Sequence, residues 1–410
     1  MTARLLTGLL LCSLLSACQE PPPAPGVLGL VPTPAAGSQD PTPTDKDPAK
    51  PDQKPDPIKP QDPANPDGPG LFLTFGEVPP QSWLSVSPLA IARAAHSLVT
   101  MNGALYAIGG DFNDLIERYD PILRRWTPRR IPNQSAIAHP IGQAAALRNR
   151  IVMVANDREY LGAPEITAPV FFDPESLDAF TAFETPMWSE FGNLVAPRAA
   201  AGVVSDGETL YVLGGSSKRY DGTPQGYVWV DSPLVEALSA RTQQWHQATP
   251  MPTSRGSLGV AMLGGKIYAA GGFRWTGTPA KESYYGSWGV DANAGAAMEA
   301  LKAFEVYDPH LDTWATCSAM PTARHSFALV AANGRLYAIG GANTQHRALS
   351  TVESYDPATD TWHAEPSMGT ARALLAASAV SDRLVLVTGG MDANGRPLRT
   401  AEAFNPEVLP

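Results

Sequence analysis

The sequence predicts an all-β fold, a six-bladed propeller. Three observations carry that prediction. Short apolar runs alternate with Asn, Gly, Asp and Pro turns, the pattern of antiparallel strands. One unit of about four such strands recurs along the chain. The spacings inside that unit stay nearly constant, as a radial repeat requires.

The unit is clearest from Arg324 to Trp362. Phe327–Ala331 is apolar and ends at the turn pair Asn333-Gly334. Leu336–Ile339 ends at Gly340-Gly341, and Val352-Glu353-Ser354-Tyr355 closes at Asp356-Pro357 before a last strand at Trp362. Arg precedes the first Gly by 16 residues in Arg93–Gly109, Arg198–Gly214, Arg255–Gly271 and Arg324–Gly340, and by 17 in Arg372–Gly389. Trp precedes the next Arg by 10 residues at Trp83, Trp188, Trp245, Trp314 and Trp362. A third-strand pattern starts 10 residues before Trp126, Trp245 and Trp314. Diglycine, then Glu-x-Tyr-Asp-Pro, then Trp resembles the kelch repeat, over about Trp83–Pro406. The resemblance implies one four-stranded blade per repeat.

Five units carry the diglycine. A degenerate sixth is expected over His139–Pro174, with Ala155-Asn156 in place of Gly-Gly and His139 in the Arg register. The last unit stops at Phe404-Asn405-Pro406, before its Trp, while Trp83 has no blade in front of it. An N-terminal strand near Trp83 is therefore expected to complete the C-terminal blade and close the ring, which removes exposed sheet edges.

Residues 1–17 read as a signal peptide. Arg4 precedes an apolar run, Leu5–Leu15, too short to span a bilayer. Leu15-Ser16-Ala17-Cys18 resembles the bacterial lipobox, which implies cleavage before Cys18 and its lipidation. Gln19, rather than Asp, then favours the outer membrane or cell surface within the bacterial envelope. Residues 18–70 read as a Pro-rich, disordered tether. Sixteen of the fifty residues 21–70 are proline, so the segment cannot bury a core. Residues 71–410 are assigned to the propeller, with Leu71–Phe75 as its first apolar cluster.

The net charge of −10 argues against nucleic acid, whose phosphates need a basic face. Cys317 is the one cysteine in the propeller region, which excludes an intradomain disulfide and a thiolate metal cluster. No cofactor or metal is expected. Asp291-Ala-Asn293-Ala-Gly295 and Asp392-Ala-Asn394-Gly395 faintly resemble calcium loops but lack the downstream acid, and read as turns. No phosphate loop, His-Glu-x-x-His or Gly-x-Ser-x-Gly elbow occurs.

Second-to-third loops vary from about 5 residues after Gly110 to 19 after Gly215 and 31 after Gly272. In antiparallel four-stranded blades all of these loops emerge on one face, and long loops on a rigid scaffold are where function concentrates. Trp229, Trp275 and Trp288 lie in the two longest insertions, beside Tyr284 and Tyr285. Such aromatics suit either a binding surface or loops that bury their own side chains.

Arg93, Arg198, Arg255, Arg324 and Arg372, with His139, share one register position and are expected to ring the central opening on the insertion face. The resemblance implies contact with acidic peptides for such arginines. The alternative is structural, pairing with the repeated Glu117, Glu236, Glu305, Glu353 and Glu402. The function expected is a monomeric, surface-tethered module binding a protein or glycan, anionic in character, and touching the membrane only through Cys18. The alternative is a carbohydrate-active enzyme, isomerase, epimerase or oxidase-like, in the central opening.

Overall fold

The computed structural model describes residues 78–110, 115–120, 122–130, 142–155, 169–172, 194, 198–220, 227–276 and 298–406. The signal peptide, the tether, Leu71–Phe75, His139, Trp188, Tyr284, Tyr285, Trp288 and Asp291–Gly295 lie outside the described residues.

Short strands form where the sequence alternates between turn residues. β1 (Trp83–Val86) comes first. The Arg93 blade follows: β2 (Ser97–Met101), β3 (Ala104–Ile108), β4 (Leu115–Asp120) and β5 (Arg125–Arg130). β6 (Gly142–Leu147), β7 (Arg150–Ala155) and β8 (Pro169–Phe172) make a three-stranded sheet. The Arg198 blade is β9 (Gly202–Ser205) and β10 (Thr209–Leu213), then a ribbon of β11 (Ser216–Tyr220) and β12 (Tyr227–Asp231), then β13 (Val235–Ser239) and β14 (Gln244–Ala248). The Arg255 blade is β15 (Gly259–Leu263) and β16 (Lys266–Ala270), a ribbon of β17 (Phe273–Trp275) and β18 (Met298–Ala300), then β19 (Phe304–Asp308) and β20 (Thr313–Thr316). β21 (Ala328–Ala332), β22 (Arg335–Ile339), β23 (Val352–Asp356) and β24 (Thr361–Glu365) form the Arg324 blade. β25 (Ala376–Ser381), β26 (Leu384–Thr388) and β27 (Ala401–Phe404) begin the Arg372 blade.

Five sheets are four-stranded, so the described structure has five blades where the sequence led us to expect six. The difference falls at the degenerate unit, which lacks the diglycine and contributes the three strands β6–β8. The innermost strands β2, β6, β9, β15, β21 and β25 pack in that order, and β25 packs against β2.

β1 supplies the fourth strand of the Arg372 blade. It pairs antiparallel with β27, Trp83 opposite Phe404 and Val86 opposite Ala401. The Trp83 and Phe404 rings stack at 4.9 Å. A repeated bond shows that β1 takes an outer strand's place. Four outer-strand tryptophans donate from Nε1 to a carbonyl just past the outer strand of the preceding blade: Trp314 to Thr249 at 2.8 Å, Trp362 to Ser318 at 2.8 Å and Trp83 to Pro366 at 2.7 Å. Trp126 donates to Ser87, just past β1, at 3.2 Å.

The diglycines join each blade to the next. The second glycine's N–H donates to the following blade's arginine carbonyl: Gly215 to Arg255, Gly272 to Arg324, Gly341 to Arg372, and Gly390 back to Arg93, each at 2.9 Å. The first glycine has φ near +60° and no room for a side chain. A Cβ on Gly271, φ +54°, would stand 2.5 Å from the Arg324 carbonyl oxygen. Gly271→Ala therefore forces two blades apart in addition to its backbone strain. We expect a loss of about 2–4 kcal/mol in a urea melt, while Gly334→Ala, in an open turn with nothing near its Cβ, costs about 1 kcal/mol.

A second belt runs inside the first. Ala95, Ala200, Ser257, Ser326 and Leu374, each two residues past its blade's arginine, have φ between +48° and +57°. Their amides donate to one another's carbonyls across blades: Ala95 to Leu374 at 2.9 Å, Leu374 to Ser326 at 2.8 Å, Ser326 to Ser257 at 3.0 Å and Ser257 to Ala200 at 2.8 Å. The left-handed conformation costs each residue about 1–2 kcal/mol, and the interblade bond holds it there.

Candidate functional site

The described arginines of the repeat register do not present a cationic ring. Their side chains are 0% exposed. Each guanidinium is paired with the glutamate of its own blade: Arg93 with Glu117 at 2.7 Å, Arg255 with Glu305 and Arg324 with Glu353 at 2.9 Å, Arg198 with Glu236, and Arg372 with Glu402. Nη1 of Arg93, Arg324 and Arg372 also donates to the first diglycine carbonyl, at 2.8–2.9 Å. The glutamates are claimed from the other side. Ala90 N donates to Glu117, Thr253 Oγ1 to Glu305, Thr322 Oγ1 to Glu353 and Gly369 N to Glu402. Burial pulls all five guanidinium pKa values below the usual arginine value, against the pull of the glutamates. A buried charge is tolerable only when paired and hydrogen-bonded, and the repeated glutamate provides that. These arginines hold strand, diglycine and approach segment together within a blade.

The insertions build a different surface. They open as the ribbons β11–β12 and β17–β18, side by side on the loop face. Trp229 of one and Trp275 of the other are half-buried and stack at 5.9 Å with 15° between planes. Phe273 meets Trp275 edge-on at 5.5 Å, His325 meets Phe273 at 5.9 Å, and His346 meets His325 at 5.5 Å. A continuous aromatic line thus crosses three blades. Asp231 clasps the ribbons, accepting from Ser216 Oγ and from Trp275 N, both at 2.8 Å, and burial raises its pKa. Ala300 N donates to Thr344 Oγ1 at 3.3 Å, tying the second ribbon to the Arg324 blade. Burial lowers both histidine pKa values, that of His325 to about 3, so this line is uncharged at neutral pH.

Beside the line, the Arg324 and Arg372 blades present matching hairpins. Asn343 Oδ1 accepts from Gln345 N and Arg347 N, each at 3.0 Å. Asp392 Oδ1 accepts from Asn394 N at 2.8 Å and Arg396 N at 2.9 Å. Asp392 is thus a turn residue, as its sequence suggested. Arg347 and Arg396, six residues past the second glycine of each blade, are exposed. Sequence reasoning passed over them, although that shared offset was available as a signal. Trp229 and Trp275 fall together, and no described register arginine joins them. Cys317 is half-buried, and burial raises its thiol pKa.

The kelch motif matches residues 92–130, 197–252, 323–369 and 372–408. Kelch-like protein terF of Aspergillus terreus is 26% identical over 276 residues, 63% of this chain and 52% of that protein. Kelch-like protein 36 of Bos taurus is 23% identical over 280 residues, 64% and 38% of the two chains. Human Kelch-like protein 23 is 23% identical over 256 residues, 60% and 37%. The chain spans about half or less of the length of these relatives. Between two matched segments, the Arg255 blade repeats the same Arg–Glu pair and diglycine bond. Motif and blade architecture agree: four segments of the chain match the kelch motif, and the described repeats fold as a kelch-type β-propeller.

Proposed function

We propose that this propeller is a protein-interaction module whose partner docks on the loop face, over the Trp229–Trp275 pair. The reading rests on that half-buried tryptophan stack, which joins two insertions the blade architecture does not require. Aromatic side chains of this kind supply large contact area at low conformational cost. Exposed Arg347 and Arg396 favour a partner surface with negative charge. The kelch-like relatives support a protein partner more than a glycan.

The setting of the module belongs to the same proposal. Cys18 carries lipid after cleavage of residues 1–17. Residues 18–70 tether the propeller to a bacterial envelope membrane, the outer one. Sheet β6–β8 serves as a sixth blade, and β1 closes the ring. Cys18→Ser then abolishes metabolic acyl labelling and detergent partitioning; a variant that still labels contradicts the lipobox.

The loop-face reading is tested by affinity capture from envelope extract with matched variants. Trp275→Ala is expected to weaken capture of the specific partner about tenfold or more, with the melting temperature nearly unchanged. Arg347→Ala is expected to flatten the salt dependence of capture. Equal capture by all variants overturns the reading.

A further inference from the structure

Four large apolar side chains are exposed among the described residues: Leu84, Ile122, Leu123 and Leu311. Three of them stand on one kind of turn, between the third and outer strands of a blade. Ile122 is 89% exposed and Leu123 56%, between β4 and β5; Leu311 is 69% exposed, between β19 and β20. In an antiparallel blade that turn lies at the same end as the first-to-second turn, opposite the insertions. The turn itself does not ask for apolar residues. The Arg324 blade has Ala358 and Thr359 there, and the Arg198 blade has Arg241 and Thr242. The Ile122 tip is held rigidly. Asp120 Oδ1 accepts from Ile122 N and Leu123 N, each at 2.9 Å, and Ser87 Oγ donates to the Arg124 carbonyl at 2.5 Å. Arg124 and Arg125 follow the tip and are exposed, as is Arg150 on the neighbouring short turn. This is a local basic and apolar edge on a chain of net charge −10.

The two tips oppose each other. From β2 to β15 there are three innermost-strand contacts in either direction round the ring, so the Arg93 and Arg255 blades face across the axis. The propeller's N-terminal end lies on the same face. Gln81 N donates to the Asn405 carbonyl at 2.9 Å, and Asn333 Nδ2, on a short turn, donates to the Pro406 carbonyl at 3.3 Å.

From these placements we infer that the short-turn face docks on an anionic phospholipid surface. Ile122, Leu123 and Leu311 enter the headgroup layer, and Arg124 and Arg125 meet phosphates. The inference rests on the anchoring reading above. Two apolar tips across a ring suit a flat, yielding surface. At the Ile122 tip arginines stand beside the apolar side chains, the residues of a membrane interface, while the Leu311 tip, between Asp308 and Asp312, supplies apolar contact alone. The described chain begins on that face, and the tryptophan pair lies on the opposite one.

The test uses the leaderless chain, residues 19–410, which keeps the compact unit that begins at Pro63. It is floated with phosphatidylglycerol/phosphatidylethanolamine vesicles and with phosphatidylcholine vesicles. Binding to the anionic vesicles is expected, falling with added salt. The triple variant Ile122→Ser, Leu123→Ser, Leu311→Ser lowers the bound fraction about tenfold. Arg124→Gln with Arg125→Gln removes the preference for anionic lipid, and Trp275→Ala floats like the parent. The short-turn changes are all on exposed side chains, Trp275 is half-buried, and a melt checks each variant. A parent chain that ignores anionic vesicles, or a triple variant that floats like it, overturns the inference. Acyl labelling of the full chain separates the two readings. Labelled Cys18 without vesicle binding sinks the docking face alone, and vesicle binding with unlabelled Cys18 sinks the anchor alone.

Discussion

Arg324→Ala is expected to destabilise the propeller by about 3–5 kcal/mol, because it leaves Glu353 buried without its charge partner. Glu353 is 6% exposed and would keep one ligand, Thr322 Oγ1 at 2.6 Å. The truncation also orphans the Gly340 and Thr351 carbonyls, which accept from Arg324 Nη1 at 2.9 and 3.0 Å. Urea melts of the two proteins measure the loss. The double variant Arg324→Met with Glu353→Leu removes both charges and is expected to recover part of it, since apolar replacement of a buried pair is often near neutral. A single variant within about 0.5 kcal/mol of the parent contradicts the architectural role.

Removing residues 1–87 is the second large change. It strips β1 from β27, takes the Trp83 ring off Phe404 and deletes the Ser87 carbonyl that Trp126 uses. No other described segment pairs with that edge of β27. We expect a loss on the order of 5 kcal/mol and concentration-dependent aggregation through the open edge. Trp83→Ala alone, at a half-buried site, should cost about 2–3 kcal/mol. Light scattering and melts of the two proteins distinguish the cases. A truncated chain that melts with the parent and stays monomeric contradicts the pairing.

Much of the blade was legible because its parts recur at fixed offsets. The alternation of Leu336–Ile339, the diglycines and the Trp-to-Arg spacing each report a backbone constraint that every blade must meet. Trp83 could be placed in the last blade from its register alone, and β1 pairs there. The arginines show the limit of the same logic. Their offset was read correctly, but an offset does not say whether a side chain points into the channel or into the blade. The repeated glutamates, themselves at constant offsets, carried the answer. The left-handed belt at Ala95, Ala200, Ser257, Ser326 and Leu374 was not legible, since four of its five residues are Ala or Ser and the fifth is Leu, with no glycine to mark positive φ. The ribbons β11–β12 and β17–β18 were read as loops because each is short and set among turn residues. Their contact across blades depends on tertiary placement that spacing does not encode.

Site-specific photo-crosslinking in intact cells tests the central claim most directly, because it reports which face touches a partner. A crosslinking residue at Arg347 samples the loop face beside the aromatic line, and one at Arg335 samples the short-turn face. The account predicts a discrete protein adduct from position 347 that Trp275→Ala diminishes, and no such adduct from position 335. A protein adduct from position 335 alone, or none from position 347, would contradict it.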